Sequence, residues 1–447
     1  MSGPLPLGSS PQGSAPQGSS PQPARPSPRP AWDDATGAAR VRELFATTFG
    51  GAPDGVWSAP GRVNIVGEHT DYNGGLCLPI ALPHRTYVAV AARPGTRRLR
   101  VVSAQEPGPP LEVDLDSVGP AGTAGEVPGW AAYVAGVLWA LEAEGLAAGL
   151  PGLDVAVDSC VPAGAGLSSS AALECAVAIA VDHLAGLALA GPAGAPDDDG
   201  RARLAAACVR AENEVAGAPT GGMDQAAALR ARRGHALLLD CRDGHVEHVP
   251  LDLAAPGLEL LVIDTRAEHR LVDGQYARRR EVCEAAAAVL GVPDLRAVAD
   301  AVEGGGTLDE VLPRLADDEQ RRRVRHVVTE IGRVRALVDI LGGAEGLAGP
   351  ALERAGALLD ASHESLRVDY EVSSAELDLA VAAARAAGAH GARMTGGGFG
   401  GSAIALVEAE AAAEVMSAVS AAFAAAGLAE PAFLRATASG PAGRTSG

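Results

Sequence analysis

Apolar and polar positions change period several times along the chain. Residues 76–91 are apolar and β-rich, and 99–103 and 111–115 add short strand-like runs. Residues 130–144 repeat apolar positions at helical spacing, which predicts a helix. Residues 153–158 alternate as a strand and run into a glycine-rich turn, after which 171–187 predict a long helix. Strand character returns at 235–240, 245–250 and 258–264. Helical patterns then dominate 275–341, 351–366 and 374–387, and a further strand is expected at 403–407. Strands that precede helices, followed by helical blocks and a late strand, predict an α+β chain of two lobes. The lobes are expected over 32–241 and 242–437.

Three segments lack this patterning. Residues 1–31 are Pro, Ser, Gly and Gln with little to bury, so nothing offsets the entropy of ordering them. They read as a disordered tail, and 438–447 reads the same way. Residues 191–200 carry Pro, Gly and the run Asp197, Asp198, Asp199, and read as an exposed loop between helices. The N-terminus has no basic stretch followed by an apolar one, unlike a signal peptide. No uncharged apolar run reaches the ~18 residues that span a bilayer. The expectation is a soluble, cytoplasmic protein.

Composition narrows the chemistry. The 447 residues are 47% hydrophobic, enough for two or three domains with a sizeable core. Acidic residues outnumber basic ones by 55 to 36, a net charge of −19, which argues against nucleic-acid or anionic-membrane partners. All 36 basic residues are arginine. Without lysine there is no Schiff-base chemistry, no Walker-type lysine and no protein-kinase lysine. Cys77, Cys160, Cys175, Cys208, Cys241 and Cys283 form no CxxC pair and read as buried thiols rather than disulfides or zinc ligands.

Three glycine-bearing segments carry candidate chemistry. The loop Gly164, Ala165, Gly166, Leu167, Ser168, Ser169, Ser170 follows a strand and opens a helix. Glycines let a backbone approach an anion, and the helix N-terminus offers free N–H groups and a positive dipole end. The serine hydroxyls can donate to phosphate or ligate magnesium. The bland alternative is a Gly-Ser turn with a capping serine. The second segment places Arg62 just ahead of Glu68, His69, Thr70 and Asp71. One histidine and two carboxylates make a thin metal set but a good fan of acceptors for a polyhydroxyl ligand; otherwise this is a polar turn between strands. The third, 394–402, is a glycine run before an apolar strand, suited to close backbone approach or simply to a hairpin bend. Asp224 follows two glycines, where an aspartate is ordinarily a turn residue.

Taken in order, these segments resemble the GHMP small-molecule kinases, and within them the galactokinase branch. Residues 61–75 resemble the galactokinase signature, 164–171 the ATP loop and 395–401 the third glycine-rich motif. The likeness continues through 262–280, 323–330 and 362–373, and spans roughly 57–407. It implies a two-lobed GHMP kinase fold with its active site in the inter-lobe cleft. The implied activity is ATP-dependent phosphorylation of the C1 hydroxyl of galactose, the first step of galactose catabolism. By position, Asp224 matches the catalytic aspartate and Arg62 the arginine beside it. Glu68, His69, Thr70, Asp71 and Tyr276 match sugar-binding residues, and Gly164 through Ser170 the ATP loop. Ser170 and Glu212 match magnesium ligands, and Ser103 is a weaker adenosine-side candidate. The implied partners are galactose and ATP, with Mg2+ as cofactor, acting on a monomer.

The resemblance also discriminates. Mevalonate kinases carry a lysine where Arg62 stands, and this chain has none. Some galactokinase-like proteins are sugar sensors that have lost residues from the serine loop; here the loop is intact, which favours an enzyme. An arginine beside Asp224 would hold it charged but weaken it as a base. Asp224 is therefore expected either to take the C1 proton or to orient the hydroxyl. Sugar choice between galactose, its N-acetylated amine and arabinose stays open.

Overall fold

The computed structural model describes Gly3 and residues 26–192, 194–267 and 274–445. Among these, the strands in chain order are β1 Gly55–Asn64, β2 Leu76–Cys77, β3 Pro79–Arg93, β4 Arg98–Ser103, β5 Leu111–Asp114, β6 Gly152–Ser159 and β7 His235–Asp240. They continue as β8 His245–Pro250, β9 Leu258–Asp264, β10 Gly391–Thr395, β11 Ser402–Glu408, β12 Ala432–Ala436 and β13 Gly443–Arg444. One sheet runs β13-β1-β3-β6-β4-β5, antiparallel except for the parallel β4–β6 pair. A second runs β10-β11-β9-β12, and a small third sheet joins β2, β7 and β8. The expected strands at 235–240, 245–250 and 258–264 are β7, β8 and β9. The predicted α+β class holds.

Each of the two larger sheets has its own core. Trp57, Val88, Val101, Val155 and Val177 belong to a cluster between the first sheet and the helices Ala131–Ala143 and Ser169–Leu184. Residues 171–182 of the latter are buried all round, Glu174 and Asp182 included, so its apolar residues are not confined to one face. The second cluster joins Leu260, Val262, Val324, Ile331 and Ile404 with Val63, Ile65, Val66, Leu78 and Ile80. The segment resembling the galactokinase signature is thus packed into the core of the C-terminal half.

Several boundary expectations need correction. The lobe break at 241 falls in the turn of the β7–β8 hairpin, and the small sheet joins β2, from early in the chain, to that hairpin. The tail expected from 438 is bound as far as 445: β13 pairs with β1, Ala442 is buried, and Thr445 N–H donates to the Val56 carbonyl. Of the tail expected over 1–31, residues 1, 2 and 4–25 lie outside the described residues, but Arg29 N–H donates to Phe433 O at 2.7 Å. Short backbone segments of this kind carry no hydrophobic periodicity, so composition alone misreads them. The aspartate run is not a free loop either, although Ala193 lies outside the described residues. Asp197 caps the helix Asp198–Arg210 by accepting from Gly200 N–H, and Asp198 pairs with Arg230 at 2.7 Å. Acidic residues suit the positive end of a helix.

Candidate active site

Three local irregularities bring the site residues together. The β1–β3 register slips between Pro60 and Arg62, a bulge that re-aims the strand where Arg62 emerges. Gly61 lets the loop backbone press close: a Cβ there would lie 2.6 Å from Leu167 O. The Arg62 N–H donates to that same carbonyl at 3.1 Å. The helix Asp198–Arg210 widens into a π-turn over Ala211–Val215 that carries Glu212, and a second π-turn, Leu366–Tyr370, ends the helix Gly349–Ser365. Such widenings are frequent at functional sites.

Arg62 and Asp224 form a bidentate pair, Nε to Oδ1 at 2.7 Å and Nη2 to Oδ2 at 2.9 Å. The third Arg62 contact runs from Nη1 to the Gly166 carbonyl at 2.7 Å, tying the pair to the serine loop. Burial alone would lower the Arg62 pKa, but Asp224 and Glu68 outweigh it and hold the guanidinium charged. Ser168 stands in the left-handed region at φ 60°, at the N-terminal boundary of the helix Ser169–Leu184, and donates to Asp224 Oδ2 at 2.5 Å. The Asp224 side chain still has 20% of its surface open. With three donors on its roughly four acceptor positions, it retains room for one hydroxyl.

The serine loop leans on the third glycine motif. Ser402 Oγ donates to Ala165 O at 2.7 Å, and a Cβ on Gly396 would lie 2.7 Å from Gly166 O. The segment 394–402 is therefore both the hairpin between β10 and β11 and the backbone against which the serine loop rests. Behind the loop, Glu212 accepts from Gln225 Nε2 at 2.6 Å, and Glu174 accepts from the same amide at 3.1 Å. Burial pushes Glu212 up to about 7, opposed by the Ser170 hydroxyl and reinforced by Asp224. No group of three or more His, Cys, Asp or Glu poised for a metal occurs among the described residues.

The expected sugar residues divide. His69 and Tyr276 have ring centroids 5.5 Å apart, and Asp71 packs on Gly221, three residues from Asp224. Glu68 is only 2% exposed and is held by Asn64 Nδ2 at 2.8 Å, Gly396 N–H at 2.7 Å and Thr395 Oγ1 at 3.1 Å, so most of its acceptor capacity is spent inside the protein. Thr70 corrects its expectation. It is fully buried, and its hydroxyl is shared between the carbonyls of Gly67 at 2.9 Å and Leu76 at 2.7 Å, so it shapes the loop and is not open to a ligand. Ser103 ends β4 and accepts from Gln105 N–H at 3.1 Å, a contact away from the serine loop.

Residues that motif reading missed hold these groups in place. Arg393, fully buried, donates to the carbonyls of Asn64 and Ile65 and lies 3.5 Å from Glu68. Glu330 accepts from Gly67 N–H, Ser362 and Arg333. The available signal for Arg393 was a charged residue inside an otherwise apolar strand, which must find a partner; Glu330, in an arginine-rich helix, gave none.

Burial pushes Asp71 up to about 7, with Asp224 adding to it. The folded value lies above the unfolded ~3.9. Relative to a neutral side chain, Asp71 therefore costs nothing below about pH 4 and destabilises the fold progressively as pH rises towards 7. Asp71→Asn should match the parent near pH 4 and exceed it by roughly 2 to 4 kcal/mol at pH 8 in the ligand-free state. Urea midpoints across that range test this, and a gap that does not widen with pH refutes it.

A two-lobed α+β fold, a serine loop opening a helix and a charged pair at its mouth define a GHMP-type small-molecule kinase. The GHMP kinases N terminal domain matches 132–232 and the GHMP kinases C terminal matches 344–425. The galactokinase galactose-binding signature matches 43–92. The chain is 49% identical over 395 residues to the galactokinase of Streptomyces coelicolor, covering 88% of this chain and 95% of that one. It is 42% identical over 386 residues to the galactokinase of Bos taurus, covering 85% and 90%. The structure of Lactococcus lactis galactokinase complexed with galactose superposes with a TM-score of 0.79 at 29% identity, covering 91% and 99%. Methanococcus jannaschii mevalonate kinase, 14% identical with a TM-score of 0.57, shares the fold. The chain belongs to the galactokinase family and is a sugar kinase that uses ATP.

Proposed function

We propose that the chain transfers the γ-phosphoryl group of ATP to the C1 hydroxyl of galactose, with Asp224 receiving that hydroxyl. The observation that carries this reading is the Arg62–Asp224–Ser168 constellation at the mouth of the serine loop, flanked by the signature segment. Phosphoryl transfer has a loose transition state, so catalysis is mainly positioning and charge stabilisation. Asp224 is engaged by a cation and a hydroxyl, which suits it to aligning the sugar hydroxyl and to receiving its proton only late. Arg62 supplies positive charge beside the transferring group in a protein of net charge −19. The N-terminal end of the helix Ser169–Leu184 offers N–H groups to the phosphates.

Ser170 and Glu212 are the residues that would hold Mg2+. A hydroxyl against a buried carboxylate is a hard-oxygen pair, and magnesium is usually held by one or two such groups together with substrate phosphates and water. The ion would supply neutralisation of the phosphate charge during transfer. The chain contributes Gln225, whose amide fixes the Glu212 carboxylate at 2.6 Å. All six cysteines are free, which fits a reducing, cytoplasmic setting. No helix among the described residues is long and apolar enough to cross a membrane.

The test is ATP-dependent phosphorylation across a sugar panel with magnesium, following ADP release and product identity. Galactose 1-phosphate is expected at least about tenfold ahead of the products from glucose, N-acetylgalactosamine and arabinose, a margin that one well-placed hydrogen bond can supply. Turnover of another sugar alone would overturn the substrate. Galactose binding without turnover would favour a sensor.

A further inference from the structure

Beneath the sugar-facing side of the cleft lies a chain of polar groups that phosphoryl transfer does not use. His69 Nδ1 is 2.9 Å from the Tyr72 hydroxyl, which is 2.8 Å from the Tyr370 hydroxyl, which is 3.2 Å from Cys283 Sγ. Tyr72 lies in the short turn Asp71–Asn73, and Tyr370 in the π-turn Leu366–Tyr370, so the two come from opposite ends of the sequence. His326 packs at a tilt against the Tyr370 ring, centroids 4.4 Å apart, and its Nε2 is 3.1 Å from Glu68 O, which anchors the chain to the signature loop. His69 itself holds a left-handed backbone, φ 61°, uncommon outside glycine and retained where the surroundings over-determine it.

The chain has a preferred direction. A phenol donates one hydrogen bond, while a thiol is a weak donor and a weak acceptor. Of the four groups, the imidazole nitrogen is the best acceptor. The arrangement that uses the strong partners together has Tyr72 donating to His69 Nδ1 and Tyr370 donating to Tyr72, with the thiol at the tail. Burial, followed by His326, pushes the His69 pKa down to about 3, so the ring is neutral and carries one proton. Nε2 is buried and has no well-formed hydrogen bond within the protein, and the Gly397 carbonyl is the backbone group placed to accept from the ring when no sugar is bound.

We propose that Tyr72, backed by Tyr370, is a positioning residue that locks His69 in the tautomer with its proton on Nε2, so that His69 donates to one hydroxyl oxygen of the sugar. Of the other polar groups assigned to the sugar, Asp224 is an acceptor that already receives three donors. A wall of acceptors alone would take any polyol that can donate. One fixed donor asks for an oxygen at one place and makes the site sensitive to sugar configuration there. This inference rests on the reading that His69 faces the sugar.

The experiment measures kcat/KM for galactose and its 2-, 3-, 4- and 6-deoxy analogues in the parent, His69→Ala and Tyr72→Phe, together with 15N NMR of the His69 ring in the parent. In the parent, one analogue should lose about tenfold or more, and that penalty should vanish in His69→Ala. Tyr72→Phe should raise KM for galactose by about five- to tenfold and cut the same analogue's penalty to about twofold. Its kcat, its KM for ATP and the other penalties should stay within about twofold. The ring spectrum should show a bare Nδ1 and a protonated Nε2. If His69→Ala leaves every penalty intact, His69 does not face the sugar, and that reading falls together with this inference. If the penalty depends on His69 but not on Tyr72, the sugar contact stands and the lock is overturned. A proton on Nδ1 in the parent overturns it without any variant.

Discussion

Asp224→Asn should lower kcat by about 100- to 10,000-fold, while galactose affinity, titrated calorimetrically with a non-hydrolysable ATP analogue present, changes by less than about fivefold. The substitution keeps the shape that meets Arg62 and Ser168 but removes the charge. Arg62 is buried, so its guanidinium would then lie beside a neutral amide with its burial offset only by Glu68 and Asp71. The Ser168 hydroxyl, 2.5 Å from Oδ2, would face either an amide oxygen or an amide N–H, depending on which way the substituted side chain turned. An interaction lost only in the transition state lowers kcat and kcat/KM together and leaves binding intact. Galactose affinity falling in step with turnover would make Asp224 a binding residue and remove it from the chemistry.

Arg393→Met should destabilise the protein by about 3 to 5 kcal/mol, a magnitude expected when one partner of a buried ion pair is removed. Arg393 is fully buried and Glu68 is 2% exposed, so neither can turn to water. The guanidinium also caps the carbonyls of Asn64 and Ile65 at 3.1 and 3.0 Å, which methionine would leave without that donor. It further favours the charged form of Glu330, whose carboxyl is held well below the usual range by Arg333, His326 and Arg393 against its burial. Because Glu330 binds the Gly67 N–H, the same loss should loosen the signature loop. Urea unfolding at pH 7 reads the stability, and Arg393→Lys should recover part of it. A Met variant as stable as the parent would mean that Glu68 does not rely on Arg393, and the strut between signature and glycine hairpin would not exist.

Both predictions concern the same construction. The signature segment is held from below by C-terminal residues (Glu330, His326, Arg393) and meets the serine loop through Arg62. Cation, carboxylate and loop therefore keep their spacing without a ligand, which is what a reaction driven by positioning requires.

Periodicity was enough to predict the long elements. The strands at 235–240, 245–250 and 258–264 and the helices near 130–144, 171–187, 351–366 and 374–387 all form, because their apolar positions must be buried on one face or throughout. Sequence also reached the chemistry wherever it is local: the serine loop opening a helix, the cluster around Glu68 and the glycine hairpin each lie within a few residues. The absence of lysine excluded whole reaction classes without any coordinates. Tertiary structure alone decided which polar groups are spent inside the protein. Thr70 and Glu68 look alike in the motif as candidates for a sugar, yet one is enclosed and the other is largely saturated by Asn64, Thr395 and Gly396. Nor could pattern place Tyr370 or Arg393 at the site, since each reaches it across some 300 residues of chain. A hydrogen-bond partner is fixed by distance in space, and hydrophobic periodicity carries information only about which face of an element is buried.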